Sequence, residues 1–247
     1  MIHFVGAGPG DPELLTLRGA RLLGEADVVI YAGSLVNPAL LDLCREDCAR
    51  HNSAKLTLEE VLALMVRAEE EGKTTVRLHT GDPALYGALR EQTDALTQRG
   101  IPWDVTPGVS SLFGASAALG AEYTLPGVSQ SLIITRLPGR TPVPEGEDLS
   151  ALASHGASLA IFLSAGMLTQ VREKLLAGGL SPETPAALVY KATWPEERVI
   201  RCTVDTLDRA DVTKTALILV GDFLDAAGER SRLYDPGFTT GFREGRP

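Results

Sequence analysis

A regular alternation constrains this chain more than any other feature. Short runs rich in β-branched and aromatic residues are separated by longer stretches with helical spacing. IHFV from Ile2, DVVIY from Asp27, TTVRLH from Thr74 and WDV from Trp103 form a first series. SLIITR from Ser131, SLAIFLS from Ser158, PAALVY from Pro185, ERVIRCTV from Glu197 and ALILVG from Ala216 form a second. Strands alternating with helix-length segments predict an α/β architecture with mainly parallel sheets. Between the two series, AEYTLPGVSQ is polar and broken by proline, which reads as a linker. The expected organisation is an N-terminal α/β domain over 1–120, a linker over 121–128, a C-terminal α/β domain over 129–226 and an irregular tail over 227–247.

Helix punctuation supports this division. Asp11-Pro12 and Asp82-Pro83 each follow a glycine and supply an N-cap with proline at the first helical position, so each is expected to open the helix after it. Thr57-Leu58-Glu59-Glu60 is a capping box, and Gly72 is the expected stop. Further helices are expected near DLSALASH and AGMLTQVREKLLAG.

Several function classes are disfavoured. A formal charge of −9 argues against an electrostatic grip on nucleic acid or an anionic membrane, so an anionic ligand must meet a local basic pocket. No apolar run approaches the ~20 residues that span a bilayer, and the start does not read as a signal peptide, so a cytoplasmic location is expected. Three cysteines are not a disulfide framework. Cys44, Cys48 and His51 have the spacing of one helical face, but no second Cys/His cluster completes a ligand set, and no protein-bound metal is expected.

Glycine loops stand where ligands gather in α/β sheets, at strand ends. VGAGPGDPELLTL, beginning at Val5, lacks the dinucleotide pattern. Asp11 occupies the third glycine position, Pro9 removes an amide that a pyrophosphate would use, and Ala32-Gly33-Ser34 holds no acid for a ribose. HTGDPALYG from His79 is a second glycine turn, and TPGVSSLFGASAALG from Thr106 is a third, with two serines and a small-residue helix.

These three motifs, in this order and spacing, resemble the tetrapyrrole methyltransferase family, and the likeness extends over nearly the whole chain. TRLPGRTPVPEGEDL, VYKATWPEE and RLYDPGFTTGFR resemble the members that methylate carbon 11 of precorrin-4 or cobalt-precorrin-4 in cobalamin synthesis. Thr80 stands where sirohaem-branch members usually carry glycine, which argues against uroporphyrinogen as substrate. The resemblance implies a two-domain homodimer with S-adenosylmethionine in a cleft between α/β domains. It assigns donor contacts to Pro9, to Thr80, Gly81, Asp82 and Leu85, to Ser110 and Ser111, and to Leu163, Ala192 and Ala216. Asp82 has two readings, a role toward the cationic donor or in proton removal, and a helix cap. The implied substrate is an anionic tetrapyrrole, for which Arg18, His79, Arg136, Arg140 and Lys191 are the candidate contacts, because Arg pairs bidentately with carboxylates. Tyr190 and Trp194 flank Lys191 and read either as a platform for a flat macrocycle or as core. Two readings from other classes are a nicotinamide oxidoreductase and a non-catalytic tetrapyrrole-binding protein.

Overall fold

In the computed structural model, which describes residues 1–246, the chain divides into two compact units. Unit 1 comprises Met1–Gly114 with Lys191–Glu197, and unit 2 comprises Ala115–Tyr190 with Arg198–Pro247. The division falls at Gly114, within a helix, and the passage 121–128 belongs wholly to unit 2.

Unit 1 holds β1 (Ile2–Gly6), β2 (Val28–Tyr31), β3 (Ala49–Asn52), β4 (Thr75–His79) and β5 (Trp103–Thr106) in the order β3-β2-β4-β1-β5, every pairing parallel. Side chains alternate across a strand, so β1 and β2 each feed two cores. Ile2, Phe4, Val28 and Ile30 face one way, onto Val61, Leu62 and Met65 of α2 (Leu58–Glu70). Val5, Val29, Val76 and Leu78 face the other way, onto Leu22 and Leu23 of α1 (Leu17–Glu25). The third helix of this unit is α3 (Leu89–Gln98). The sequence reading missed β3, whose residues ARHN are mostly exposed. An edge strand needs no apolar signature, because it is paired on one side only. His51 belongs to this strand, and Cys44 closes a 3-10 turn at Pro38–Leu43, so the spacing Cys44, Cys48, His51 is not one helical face. Both thiols pack in the α1-side core, where burial raises their pKa values, that of Cys48 to about 11.

The capping box forms as expected: Thr57 Oγ1 accepts from Glu60 N, and Glu60 Oε2 accepts from Thr57 N. The two Asp-Pro pairs behave differently from expectation. Asp11 caps only a 3-10 turn, Pro12–Leu14; Leu15 and Thr16 return to extended backbone, and α1 starts behind the Thr16 hydroxyl, which accepts from Gly19 N. Asp82 caps the turn after it, and α3 starts seven positions later behind Ala88, at φ +48°. A short side chain that binds its own backbone two residues on makes a turn as readily as a helix.

Across the division runs α4 (Ser111–Leu119). Unit 2 holds β6 (Leu132–Arg136), β7 (Ser158–Phe162), β8 (Pro185–Tyr190), β9 (Arg198–Thr203) and β10 (Ala216–Val220) in the order β6-β7-β10-β8-β9, with α5 (Leu149–Ala153) and α6 (Leu168–Ala177). Its core joins Leu159, Ile161, Leu188 and Ile218 to Val171 and Leu175 of α6. The expectation of mainly parallel sheets holds for unit 1 and fails here. Only β6 and β7 pair in parallel; β7–β10, β10–β8 and β8–β9 are antiparallel. The connection Lys191–Glu197 is too short for the crossover that a parallel β8–β9 pair would need. The tail is tied down by Glu229 N, which donates to Pro126 O, and folds round Arg243, whose guanidinium donates to the carbonyls of Leu233, Asp235 and Phe238.

Candidate active site

Because β4, β1 and β5 are adjacent and parallel, the loops at their C-terminal ends lie side by side, and these loops carry the three glycine motifs. The first two pair directly: Gly8 N donates to Gly81 O at 3.2 Å and Gly81 N to Gly8 O at 3.0 Å. The third closes on both. A Cβ on Gly6 would lie 2.5 Å from Gly108 Cα and 2.6 Å from Gly81 O, and one on Gly108 would lie 2.2 Å from Gly81 O. No side chain fits at either position. Gly81 is required for another reason, since its φ of +60° favours glycine while a Cβ there would meet Ser110 Cα at an ordinary 3.5 Å.

Asp82 fastens this junction. Its Oδ1 accepts from Ala84 N and its Oδ2 from Gly108 N, both at 2.8 Å, so one carboxylate joins the second loop to the third. Both oxygens thus hold backbone amides. Leu85 closes the same turn through its N–H to Asp82 O. Ser110 Oγ accepts from Leu112 N at the start of α4, beside Ser111. Thr80 Oγ1 is buried and, among the described residues, has no hydrogen-bond partner. A buried hydroxyl without a partner beside close-approach glycines suits a polar ligand that reaches the loop.

The first loop is held by the segment Lys191–Glu197. Trp194 Nε1 donates to Pro9 O at 3.0 Å, Asp11 N donates to Thr193 Oγ1 at 3.0 Å, and Asn37 Nδ2 donates to Gly10 O at 2.8 Å. Pro9 and Ala192 meet over Gly114, where a Cβ would lie 3.0 Å from Pro9 Cβ and 3.4 Å from Ala192 Cβ. Of the ten residues assigned to the donor, the structure therefore gathers Pro9, Thr80, Gly81, Asp82, Leu85, Ser110, Ser111 and Ala192 within unit 1.

Leu163 and Ala216 lie in unit 2, at one end of its sheet. Extending the β7–β10 register from Ile218 opposite Ile161 sets Ala216 opposite Leu163. Leu163 is 67% exposed with φ +53°, a conformation uncommon for a leucine. Arg136, paired with Phe162, ends β6 at the same edge. Its guanidinium donates to the carbonyls of Leu137, Thr141 and Pro142, which makes it the staple of the loop that carries Arg140.

The remaining substrate candidates are placed variously. Arg18 pairs with Asp104 Oδ2 at 2.6 Å, and Asp104 Oδ1 is 2.8 Å from His3 Nδ1. Lys191 Nζ lies 3.2 Å from Glu196 Oε1 and 4.7 Å over the Trp194 ring. His79 is a core side chain, 3% exposed, with its ring 5.8 Å from that of Phe4. Burial, reinforced by the neighbouring Arg77, lowers its pKa to about 3, so the ring is neutral near pH 7 and offers an anionic ligand no charge. Its Nε2 is buried and, among the described residues, has no hydrogen-bond partner. Arg77 is buried on the same face, donating to Gln92 Oε1 and Ile30 O. Sequence reasoning singled out neither Gly6 and Gly108 as contacts nor Asn37 and Thr193 as supports. The glycines are visible as members of the motifs, and Thr193 lies within VYKATWPEE, but nothing local marks Asn37 or Thr193 as a tie to the distant first loop.

Comparison with known proteins gives this geometry a family. The model of the tetrapyrrole (corrin/porphyrin) methylases matches residues 1–208. A cobalt-precorrin-4 C(11)-methyltransferase of Methanocaldococcus jannaschii is 49% identical over 98% of this chain and 96% of the relative. A precorrin-4 C(11)-methyltransferase of Pseudomonas aeruginosa is 43% identical over 96% of this chain and 99% of the relative. Among solved structures, a cobalt precorrin-4 methyltransferase of cobalamin biosynthesis superposes with a TM-score of 0.89 at 45% identity, covering 91% of this chain and 96% of that one. A Thermus thermophilus uroporphyrin-III C-methyltransferase complexed with S-adenosylhomocysteine superposes with a TM-score of 0.79 at 29% identity, covering 93% and 95%. The chain belongs to the tetrapyrrole (corrin/porphyrin) methylases.

Proposed function

We propose that this protein transfers a methyl group from S-adenosylmethionine to carbon 11 of precorrin-4 or cobalt-precorrin-4, as a step of cobalamin biosynthesis. The observation that carries the reading is near-full-length identity to two C-11 methyltransferases, one named for each form of the substrate. The junction of Gly6, Gly81 and Gly108 supports it, as does the buried Thr80 hydroxyl, because a donor of mixed polarity needs close backbone approach and a few placed polar groups.

The donor supplies an electrophilic methyl on sulfur, and the pyrrolic carbon is the nucleophile. The protein's task is orientation, which is worth roughly 7–11 kcal/mol when reacting atoms are held in line. Loops 8–11, 80–85 and 108–111 hold the donor. Asp82 keeps two of these loops in register, through two amides, and is assigned no proton transfer. Substrate carboxylates are met by Arg140, on the loop that Arg136 stiffens, and by Lys191. The working form is a homodimer with no protein-bound metal, to be checked by sedimentation and metal analysis.

Titration calorimetry with S-adenosylhomocysteine tests the reading, because saturable binding is expected of the donor product. Absence of binding at millimolar ligand overturns it. The same titration separates it from a tetrapyrrole-binding protein without a donor site.

A further inference from the structure

Three consecutive residues of the first loop, Pro9, Gly10 and Asp11, are each held by a side chain from elsewhere in unit 1: Trp194, Asn37 and Thr193 respectively. The indole also lies against the backbone. A Cβ on Gly10 would stand 2.0 Å from Trp194 Cδ1 and 2.3 Å from Nε1, so ring and glycine fit only together. The segment that supplies Trp194 is itself strained. Lys191 has φ +46° and Thr193 has φ +68°, a region that β-branched residues rarely enter. That conformation is kept by Trp194 N donating to Lys191 O and by Thr193 N donating to Glu197 Oε2 at 2.6 Å. Strain of this kind persists where the surroundings over-determine it, and it collects at ligand sites.

We propose that Trp194 is a positioning residue for the methyl donor: it fixes Pro9–Asp11 in the shape the donor meets, without touching the reacting atoms. The proposal rests on the donor reading of this site. It explains why the indole N–H is spent on a proline carbonyl, in a loop with no regular structure of its own to hold it. A merely structural tryptophan would change stability and donor affinity together; a positioning one separates them.

The test is Trp194→Phe, which keeps a ring over Gly10 and removes the N–H. Thr193→Val, with Thr193→Ser as the conservative variant, removes the second tie. Affinity for S-adenosylhomocysteine and the KM for S-adenosylmethionine should weaken about three- to tenfold, the size of one lost hydrogen bond. The kcat at saturating donor and the tetrapyrrole KM should stay near wild type. The melting temperature without ligand should fall by no more than about 2–4 °C, the shift expected of one lost hydrogen bond in a chain of this size. Amide exchange at Gly10 and Asp11 should quicken, and Thr193→Ser should restore wild-type binding. If Trp194→Phe and Thr193→Val bind like wild type, or lose affinity only in step with melting temperature, the proposal falls. Wild-type protein that does not bind S-adenosylhomocysteine removes the methyltransferase reading as well, and so marks a different failure.

Discussion

A methyl group on Gly108 would lie 2.2 Å from the Gly81 carbonyl oxygen, whereas one on Gly81 would meet nothing closer than 3.5 Å. The two glycines of the junction thus serve different ends, one giving room and the other a left-handed backbone. Gly108→Ala should destabilise by about 1–3 kcal/mol, as overpacking does, and abolish S-adenosylhomocysteine binding. Gly81→Ala should cost about 1 kcal/mol and leave measurable binding. Urea unfolding and calorimetry on both variants check this, and the reverse order would show that space is not what Gly108 provides. His79 gives a second prediction. Its folded pKa of about 3 lies below the usual 6.5, because burial and then Arg77 disfavour the charged ring. On acidification the unfolded chain takes up the proton first, so stability is full above about pH 6.5 and is lost as pH falls from there toward 3, by up to about 1.4 kcal/mol per pH unit. His79→Leu should flatten the stability profile between pH 7 and 5; parallel profiles would contradict the assignment. Asp82 shows what the sequence conceals at this scale: its neighbours Gly81 and Pro83 mark a turn, but its bond to Gly108 N spans 26 positions and has no local trace.

Among the elements, the loop after β6 changed most between sequence and structure. TRLPGRTP reads as two arginines offered to a ligand, yet Arg136 spends its guanidinium on three carbonyls of its own loop. Arg136→Gln should therefore loosen residues 137–142, seen as faster amide exchange, and raise the tetrapyrrole KM while the donor KM stays constant. A tetrapyrrole KM equal to wild type would leave the loop without a part in substrate binding. The helix signals divided by mechanism. The Thr57 capping box was legible because both of its bonds close within four residues. Thr57→Ala should cost about 1 kcal/mol in unfolding free energy, and a loss below a few tenths would show that α2 is held by packing alone. The Asp-Pro pairs misled because the same local bond opens a helix or a single turn. In both cases the helix begins further along the chain, behind Thr16 in one and Ala88 in the other.

For the molecule as a whole, nine of the ten strands among the described residues were readable from short runs rich in β-branched and aromatic residues, including β5 and β9, which are little buried. Their pairing was readable only in unit 1. There each strand is followed by a connection long enough to cross back, whereas in unit 2 the antiparallel β10 enters between β7 and β8, a decision that no run of residues displays. The candidate site was legible as three motifs because each glycine serves a junction of backbone. The supporting roles of Asn37, Thr193 and Trp194 were not, although Trp194 was read as a platform or core residue within VYKATWPEE, because a bond between segments distant in sequence leaves no local pattern. The central claim is the reaction, and its most direct test is incubation of the purified protein with methyl-labelled S-adenosylmethionine and, separately, precorrin-4 and cobalt-precorrin-4, with the product read by mass and carbon NMR. The account predicts one added methyl group, located on carbon 11 of at least one of the two macrocycles, and its loss in Gly108→Ala. Transfer to a different carbon, or no transfer to either macrocycle by protein that binds S-adenosylhomocysteine, would contradict it.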